Sequence, residues 1–194
     1  MNEFDPLHSF LLKAHSFTTE EADFFVAHFS KRRVKKKQFI VQPDFVAKSR
    51  VYVLEGAFRA FVLDKNGIEH TISLAIDGWW ITDPDSFLFQ QPATMYVEAL
   101  ENSVILELNY DKEELLKADS HKFESFFRKI AEIGLAHIHR RLMASHIFTA
   151  EERYDCFAER YTSLNERMPQ YVIASYLGMT TEYLSRIRKN KLKS

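Results

Sequence analysis

Apolar and polar positions follow a helical period, then short strand-like runs, then a helical period again along this chain, and these changes divide it. Between residues 19 and 30, Ala22, Phe25, Val26 and Phe29 recur at helical spacing behind Thr18 and Thr19, with Glu20 and Glu21 in the first turn. A capping hydroxyl and early acids before such a stripe predict a short amphipathic helix. From Gln38 onward the apolar residues gather in short β-rich runs at 39–41, 51–54, 58–63, 70–76, 95–99 and 104–108, separated by turn formers. The segment Asp64-Lys65-Asn66-Gly67 predicts a tight hairpin, because Asn and Gly both tolerate positive φ. Several strands at this spacing form a roll or barrel.

After Tyr110 the pattern turns helical and stays so. Phe123, Phe126, Phe127, Ile130, Ile133, Gly134, His137, Ile138, Arg141 and Leu142 make one long stripe that is too apolar to face water. Packing on the roll would satisfy it, as would a second copy; a symmetric dimer seam is the reading preferred here. A new helix is predicted after Thr149, with Glu152 three residues on to complete a capping box.

Composition narrows the class. Hydrophobic residues make up 46% and charged residues 27% of 194 residues, enough for a substantial core. Lys and Arg number 26 against 27 Asp and Glu, a formal net charge of −1, so any nucleic-acid surface has to be local. The basic run 31–37, six cations interrupted only by Val34, reads more readily as a solvated first strand and turn than as such a surface. Cys156 stands alone, which excludes an internal disulfide and fits a reducing compartment, the cytoplasm. The stretch from Met1 to Lys13, with Glu3 and Asp5, lacks the apolar run of a signal peptide, and no later segment approaches a membrane span; no membrane partner is expected.

The local surface lies in residues 168–193. Pro169 starts a short helix with apolar Val172, Ile173, Ala174 and Leu177, and Gly178 ends it. Met179 fills the turn, Thr180 caps a second helix, and Tyr183, Leu184 and Ile187 form its inner face while Thr181, Glu182, Ser185 and Arg186 point outward. In a helix-turn-helix the second helix enters the major groove with its N-terminal residues at base edges. Arg186 suits bidentate bonding to guanine and Glu182 suits the cytosine amino group. Arg186, Arg188, Lys189, Lys191 and Lys193 follow with no acid among their neighbours through Ser194, so positive charge concentrates where phosphates would lie.

These segments resemble the cyclic AMP receptor protein, or Crp/Fnr, family of regulators over nearly the whole chain. The likeness is carried by Ala150-Glu151-Glu152-Arg153-Tyr154, by the stretch from Arg167-Met168-Pro169 through Leu177-Gly178-Met179-Thr180, and by Leu184-Ser185-Arg186-Ile187-Arg188. It is nearest the version of the family found in Bacteroidetes-type bacteria. The resemblance implies an α+β fold: a cyclic-nucleotide-binding-type β-roll over residues 1–112, a dimerisation helix over 113–148 and a helix-turn-helix DNA-binding domain over 149–194. It implies double-stranded DNA and a second copy of the chain as partners, admits RNA polymerase as another, and assigns DNA contact to Thr180, Thr181, Glu182, Ser185, Arg186, Arg188 and Lys189. No β-hairpin is visible between Cys156 and Pro169, so the wing of better-known members is reduced.

The sensor segment departs from that pattern. Members that bind cyclic AMP carry a Gly-Glu pair and an Arg-Ser pair around a short helix; the matching residues here are Thr82-Asp83 and Ala93-Thr94. Without the arginine a cyclic phosphate loses its bidentate partner, and Asp83 and Asp85 add negative charge, so cyclic AMP is not expected to bind. Trp79, Trp80, Thr82, Asp83, Phe87, Thr94 and Tyr96 are the candidate pocket for an unknown effector, with Phe89 and Met95 as further apolar lining; the same aromatics would equally serve as filling for the roll. No cofactor is expected. A metal-holding cupin needs several strand histidines where only His70 is present, and His137, His139 and His146 do not share a helical face at i and i+4. One cysteine cannot hold an iron–sulfur cluster, and neither a nucleophile elbow nor a phosphate loop occurs, so an enzyme is not expected. The competing reading is a dimeric ligand sensor that binds no DNA and acts through protein contacts.

Overall fold

The computed structural model describes residues 5–15 and 17–191. Two four-stranded sheets form the roll, one in the order β1-β8-β3-β6 and the other β2-β7-β4-β5. The first contains β1 (Ser30–Val34), β3 (Ser49–Glu55), β6 (Trp80–Ile81) and β8 (Ser103–Asn109); the second contains β2 (Phe39–Val41), β4 (Ala57–Leu63), β5 (Glu69–Ile76) and β7 (Tyr96–Ala99). Period-two alternation sorts the side chains of β3 and β8 onto two faces. Val51, Val53 and Ile105 join Val41, Phe58, Ala60, Ala75, Val97 and Ala99 in a core between the sheets. Tyr52, Leu106 and Leu108 point the other way and pack against helices.

Those helices are α1 (Asp5–His15), α2 (Thr19–Val26), α4 (Tyr110–Asp119) and the start of α5 (His121–Ile147). Leu7, Leu11, Phe17, Phe25, Leu116, Phe123, Phe126 and Phe127 make a second, phenylalanine-rich core, with the Phe25 and Phe126 rings edge to face at 5.1 Å. The capping box predicted before residue 19 is present: Glu21 N donates to Thr18 Oγ1 at 3.2 Å, and Thr18 N donates to the Glu21 carboxylate at 2.7 Å. α1 is not among the elements expected from the sequence, although Leu7 and Leu11, four apart and fully buried, carry its signal.

Two local expectations change. The hairpin turn 64–67 is not built on two positive-φ residues: only Gly67 (φ 77°) is left-handed. Asp64 replaces that device, its Oδ1 accepting from Asn66 N at 2.8 Å and Ile68 N at 2.9 Å while its carbonyl accepts from Gly67 N at 3.0 Å. An Asx side chain that satisfies the turn amides lets Asn66 remain in an ordinary conformation. The helical stretch after Tyr110 is also not continuous, because Ser120 is extended (φ −148°, ψ 130°) and separates α4 from α5.

The chain divides into two compact units, Met1–Ala60 with Leu74–Ala131, and Phe61–Ser73 with Glu132–Ser194. The division therefore runs through α5 and through the β4–β5 hairpin, away from the boundaries at 112/113 and 148/149 expected from the sequence. The single stripe expected on this helix splits the same way: Phe123, Phe126 and Phe127 are buried, whereas Ile133, Ile138 and Leu142 are 47%, 62% and 54% exposed. His137 is half-buried beside Tyr161; burial, then the charges of Arg140 and Arg160, hold its pKa below the ordinary histidine range. A depressed histidine means the unfolded chain binds more protons, so its contribution to stability is present above about pH 6.5 and is lost as pH falls through the folded value. His137→Gln should flatten the decline in Tm between pH 7.5 and 5.5, measured by thermal melts.

Candidate nucleic-acid interface and sensor cassette

The second unit ends in four helices: α6 (Ala150–Arg160), α7 (Thr162–Arg167), α8 (Gln170–Leu177) and α9 (Thr181–Lys191). α7 occupies the place where the sequence shows no hairpin, and no strand follows Asn109 among the described residues. α8 stops where Gly178 turns left-handed (φ 69°, ψ 43°). There Met179 N donates to the Ala174 carbonyl at 3.0 Å and Gly178 N to that of Ser175 at 3.2 Å, a Schellman closure that needs a residue free of Cβ strain. Thr180 then caps α9, its Oγ1 accepting from Tyr183 N at 3.2 Å. Val172, Ile173, Leu184 and Ile187 are buried, so the two helices have the helix-turn-helix form read from the sequence.

On α9 the outward face carries Glu182, Ser185, Arg186 and Lys189, all exposed, with Thr180 exposed and Thr181 half-exposed at its N-terminus. Tyr183, expected on the inner face, is only half-buried, and the Arg186 guanidinium lies over its ring at 4.7 Å. That contact holds the arginine extended along the helix surface without consuming its donors. Arg188 differs from its expected phosphate role: its Nε donates to Tyr154 Oη at 3.0 Å and its Nη2 to Asn165 Oδ1 at 2.7 Å, bracing α9 against α6 and α7. Lys191 meets an acid that neighbours it only in space, Asp155 on α6, at 2.6 Å. Lys193, the end of the expected basic tail, lies outside the described residues, as does Glu3 at the other terminus. Arg153 and Tyr154, which the sequence marks only through the family likeness, have structural partners: Arg153 Nε donates to the Leu177 carbonyl at 3.1 Å and Nη1 to that of Phe148 at 2.9 Å, so it ties α6 to the end of α8.

The sensor segment is closed by its own side chains. Asp83 is fully buried and caps α3 (Pro84–Phe89): Oδ1 accepts from Asp85 N at 3.1 Å and Ser86 N at 3.2 Å, and Oδ2 accepts from Thr94 N at 3.1 Å. The carboxylate thus joins the start of α3 to the segment leading into β7. Thr82 Oγ1 donates to the Ser49 carbonyl at 3.0 Å. Ser86 Oγ accepts from Ala47 N at 2.9 Å and donates to the Gln91 carbonyl. The candidate pocket residues do not converge. Phe87 lies in the core between the sheets with Trp79 and Met95 against that core, Trp80 packs against the phenylalanine-rich core, Thr94 is exposed, and the Tyr96 ring lies 5.2 Å from that of Phe39, tilted by 52°. Phe89 is 65% exposed. An open hollow of about 210 Å³ lies instead beside β2, lined by Phe39, Ile40, Val41, Gln42, Phe45 and Val46.

Residues 31–119 match the cyclic nucleotide-binding domain. No curated protein matches the sequence. Among solved structures, FixK2 from Bradyrhizobium japonicum superposes with a TM-score of 0.71 at 18% identity, covering 84% of this chain and 83% of that one. A Crp/Fnr-family protein from Eubacterium rectale, described as a transcriptional regulator, gives 0.69 at 15% identity over 92% and 85%. The c-di-GMP-responsive global regulator CLP of Xanthomonas campestris gives 0.68 at 14% identity over 91% and 92%. The chain therefore has the α+β fold of the Crp/Fnr-type regulators, with a cyclic-nucleotide-binding-type β-roll in its N-terminal part. No helix among the described residues is long and apolar enough to cross a membrane.

Proposed function

We propose that this protein is a cytoplasmic DNA-binding transcriptional regulator of the Crp/Fnr type that acts as a homodimer. The observation that carries the reading is α9: a capped helix behind a Schellman turn presents Thr181, Glu182, Ser185 and Arg186 on one face, with an exposed Arg186 laid over Tyr183. That is the arrangement that places side chains at base edges in the major groove. The roll senses a small molecule other than cyclic AMP, or none: Ala93 stands where a phosphate-clamping arginine would be needed, and Asp83 already bonds the amides around α3.

Recovery of genomic fragments by the purified protein near physiological salt tests this directly. A shared palindromic motif is expected, with binding indifferent to added cyclic AMP. Arg186→Ala should cost about 1–3 kcal/mol on that motif and relax the preference at one base pair. Enrichment that requires cyclic AMP would overturn the sensor reading. A lack of any enriched motif would favour a sensor that works through protein contacts.

A further inference from the structure

Strand β5 is the outer strand of its sheet, so a row of its backbone groups has no ladder partner. Within the second unit two side chains take those groups. Ser175 on α8 accepts from Thr71 N at 2.9 Å and donates to the Glu69 carbonyl at 3.0 Å. Arg141 on α5 donates from Nη1 to the Ile72 carbonyl at 2.5 Å and from Nη2 to that of Thr71 at 2.9 Å. The same guanidinium lies over the Tyr176 ring at 4.2 Å, and Tyr176 in turn packs on Phe157 of α6. Covering a strand edge against aggregation asks only that something lie over it. Here a serine bridges two backbone groups and a charged fork bonds two more, which fixes the register of α8 along the hairpin.

We infer that the β4–β5 hairpin tip, Arg141 and Ser175 form a clasp that positions the helix-turn-helix. Arg141 and Ser175 are positioning residues in it, acting on DNA only through α8. The clasp leaves the outward face of α9 exposed, so it holds the reading helix in a presentable orientation and does not mask it. α8 passes that constraint to α9 through the Gly178 turn and through Gln170, whose Nε2 donates to the Thr181 carbonyl at 3.4 Å. Strands β4 and β5 continue from this tip into their sheet of the roll, so the clasp ties α8 to the hairpin by hydrogen bonds in addition to the chain connection through α5. This inference rests on the DNA-binding reading for its consequence but not for the clasp itself.

Hydrogen exchange and duplex titration on full-length Arg141→Gln and Ser175→Ala separate the two. Amide exchange is expected to rise together over residues 69–72 and 170–177 in both variants, with β3 and β8 unchanged. Affinity for the selected duplex should fall about tenfold, as loss of a charged hydrogen bond would give, while discrimination against a one-base change stays as in the wild type. Arg186→Ala should show the opposite pattern, with discrimination lost and exchange unaltered. If Arg141→Gln fails to fold, Ser175→Ala carries the same test. Faster exchange confined to β5, or unchanged duplex affinity in both variants, would overturn the positioning role. Coupled exchange in a protein that binds no duplex at all would remove the DNA reading and the positioning role together, and leave only a structural clasp.

Discussion

Glu113→Ala should cost about 3–5 kcal/mol of stability, the range for removing one partner of a buried ion pair. The Glu113 side chain has no exposure; Arg50 reaches it from β3 with Nε at 2.7 Å and Nη2 at 2.9 Å, and Lys117 adds a third contact at 2.8 Å. Beneath the pair, the Arg50 guanidinium lies 5.0 Å from the centre of the Phe87 ring, so α3, β3 and α4 meet at one charge cluster. Removing the carboxylate leaves two cations with little water to replace it. Burial alone would lower the pKa of Lys117, yet its bonds to Glu113 and Glu114 outweigh that and raise it, so the variant also loses the partner that favours charged Lys117. Replacing both partners, Arg50→Met with Glu113→Leu, should recover most of the loss, because the desolvation cost leaves with the charges. Denaturant unfolding measures both; a double variant as unstable as the single one would show that shape and hydrogen bonding, not charge burial, dominate this site.

The second large effect concerns assembly. Leu135, Ile138 and Leu142 fall at i, i+3 and i+7 on α5 and are 55%, 62% and 54% exposed, with Met143 and Ile147 at 63% and 66%. An apolar helical stripe of this kind marks an interaction surface in a folded chain. On the proposed dimer reading, Ile138→Asp with Leu142→Asp should convert the protein to a folded monomer in sedimentation, since the phenylalanine-rich core at the start of the same helix is untouched. Affinity for a palindromic duplex should then fall about 10²–10⁴-fold as the two half-sites are no longer bound by one particle. A variant that still sediments as a dimer would place the seam elsewhere.

Residue types alone do not place the side chains around α3. In sequence Asp83 reads as a negative charge near a ligand, but in the fold its carboxylate accepts from three backbone amides. Trp79 and Trp80 are adjacent and are both pocket candidates by residue type, yet successive residues near a strand point to opposite faces, and the two side chains pack against different cores. The alternation was available in the sequence; which face held a cavity was not.

Local chemistry along the chain determined the strands through their alternation, the caps at Thr18, Thr149 and Thr180, the turn at Gly178 and the outward face of α9, because each depends on residues a few positions apart. Tertiary structure decided what depends on distant partners. It turned Arg188 inward to Tyr154 and Asn165, set Asp155 beside Lys191, buried Glu113 on Arg50, and joined Ser175 and Arg141 to a hairpin about seventy to one hundred residues earlier. A charged or hydroxyl side chain looks alike in sequence whether water or a remote carbonyl will satisfy it, and only the fold supplies that carbonyl.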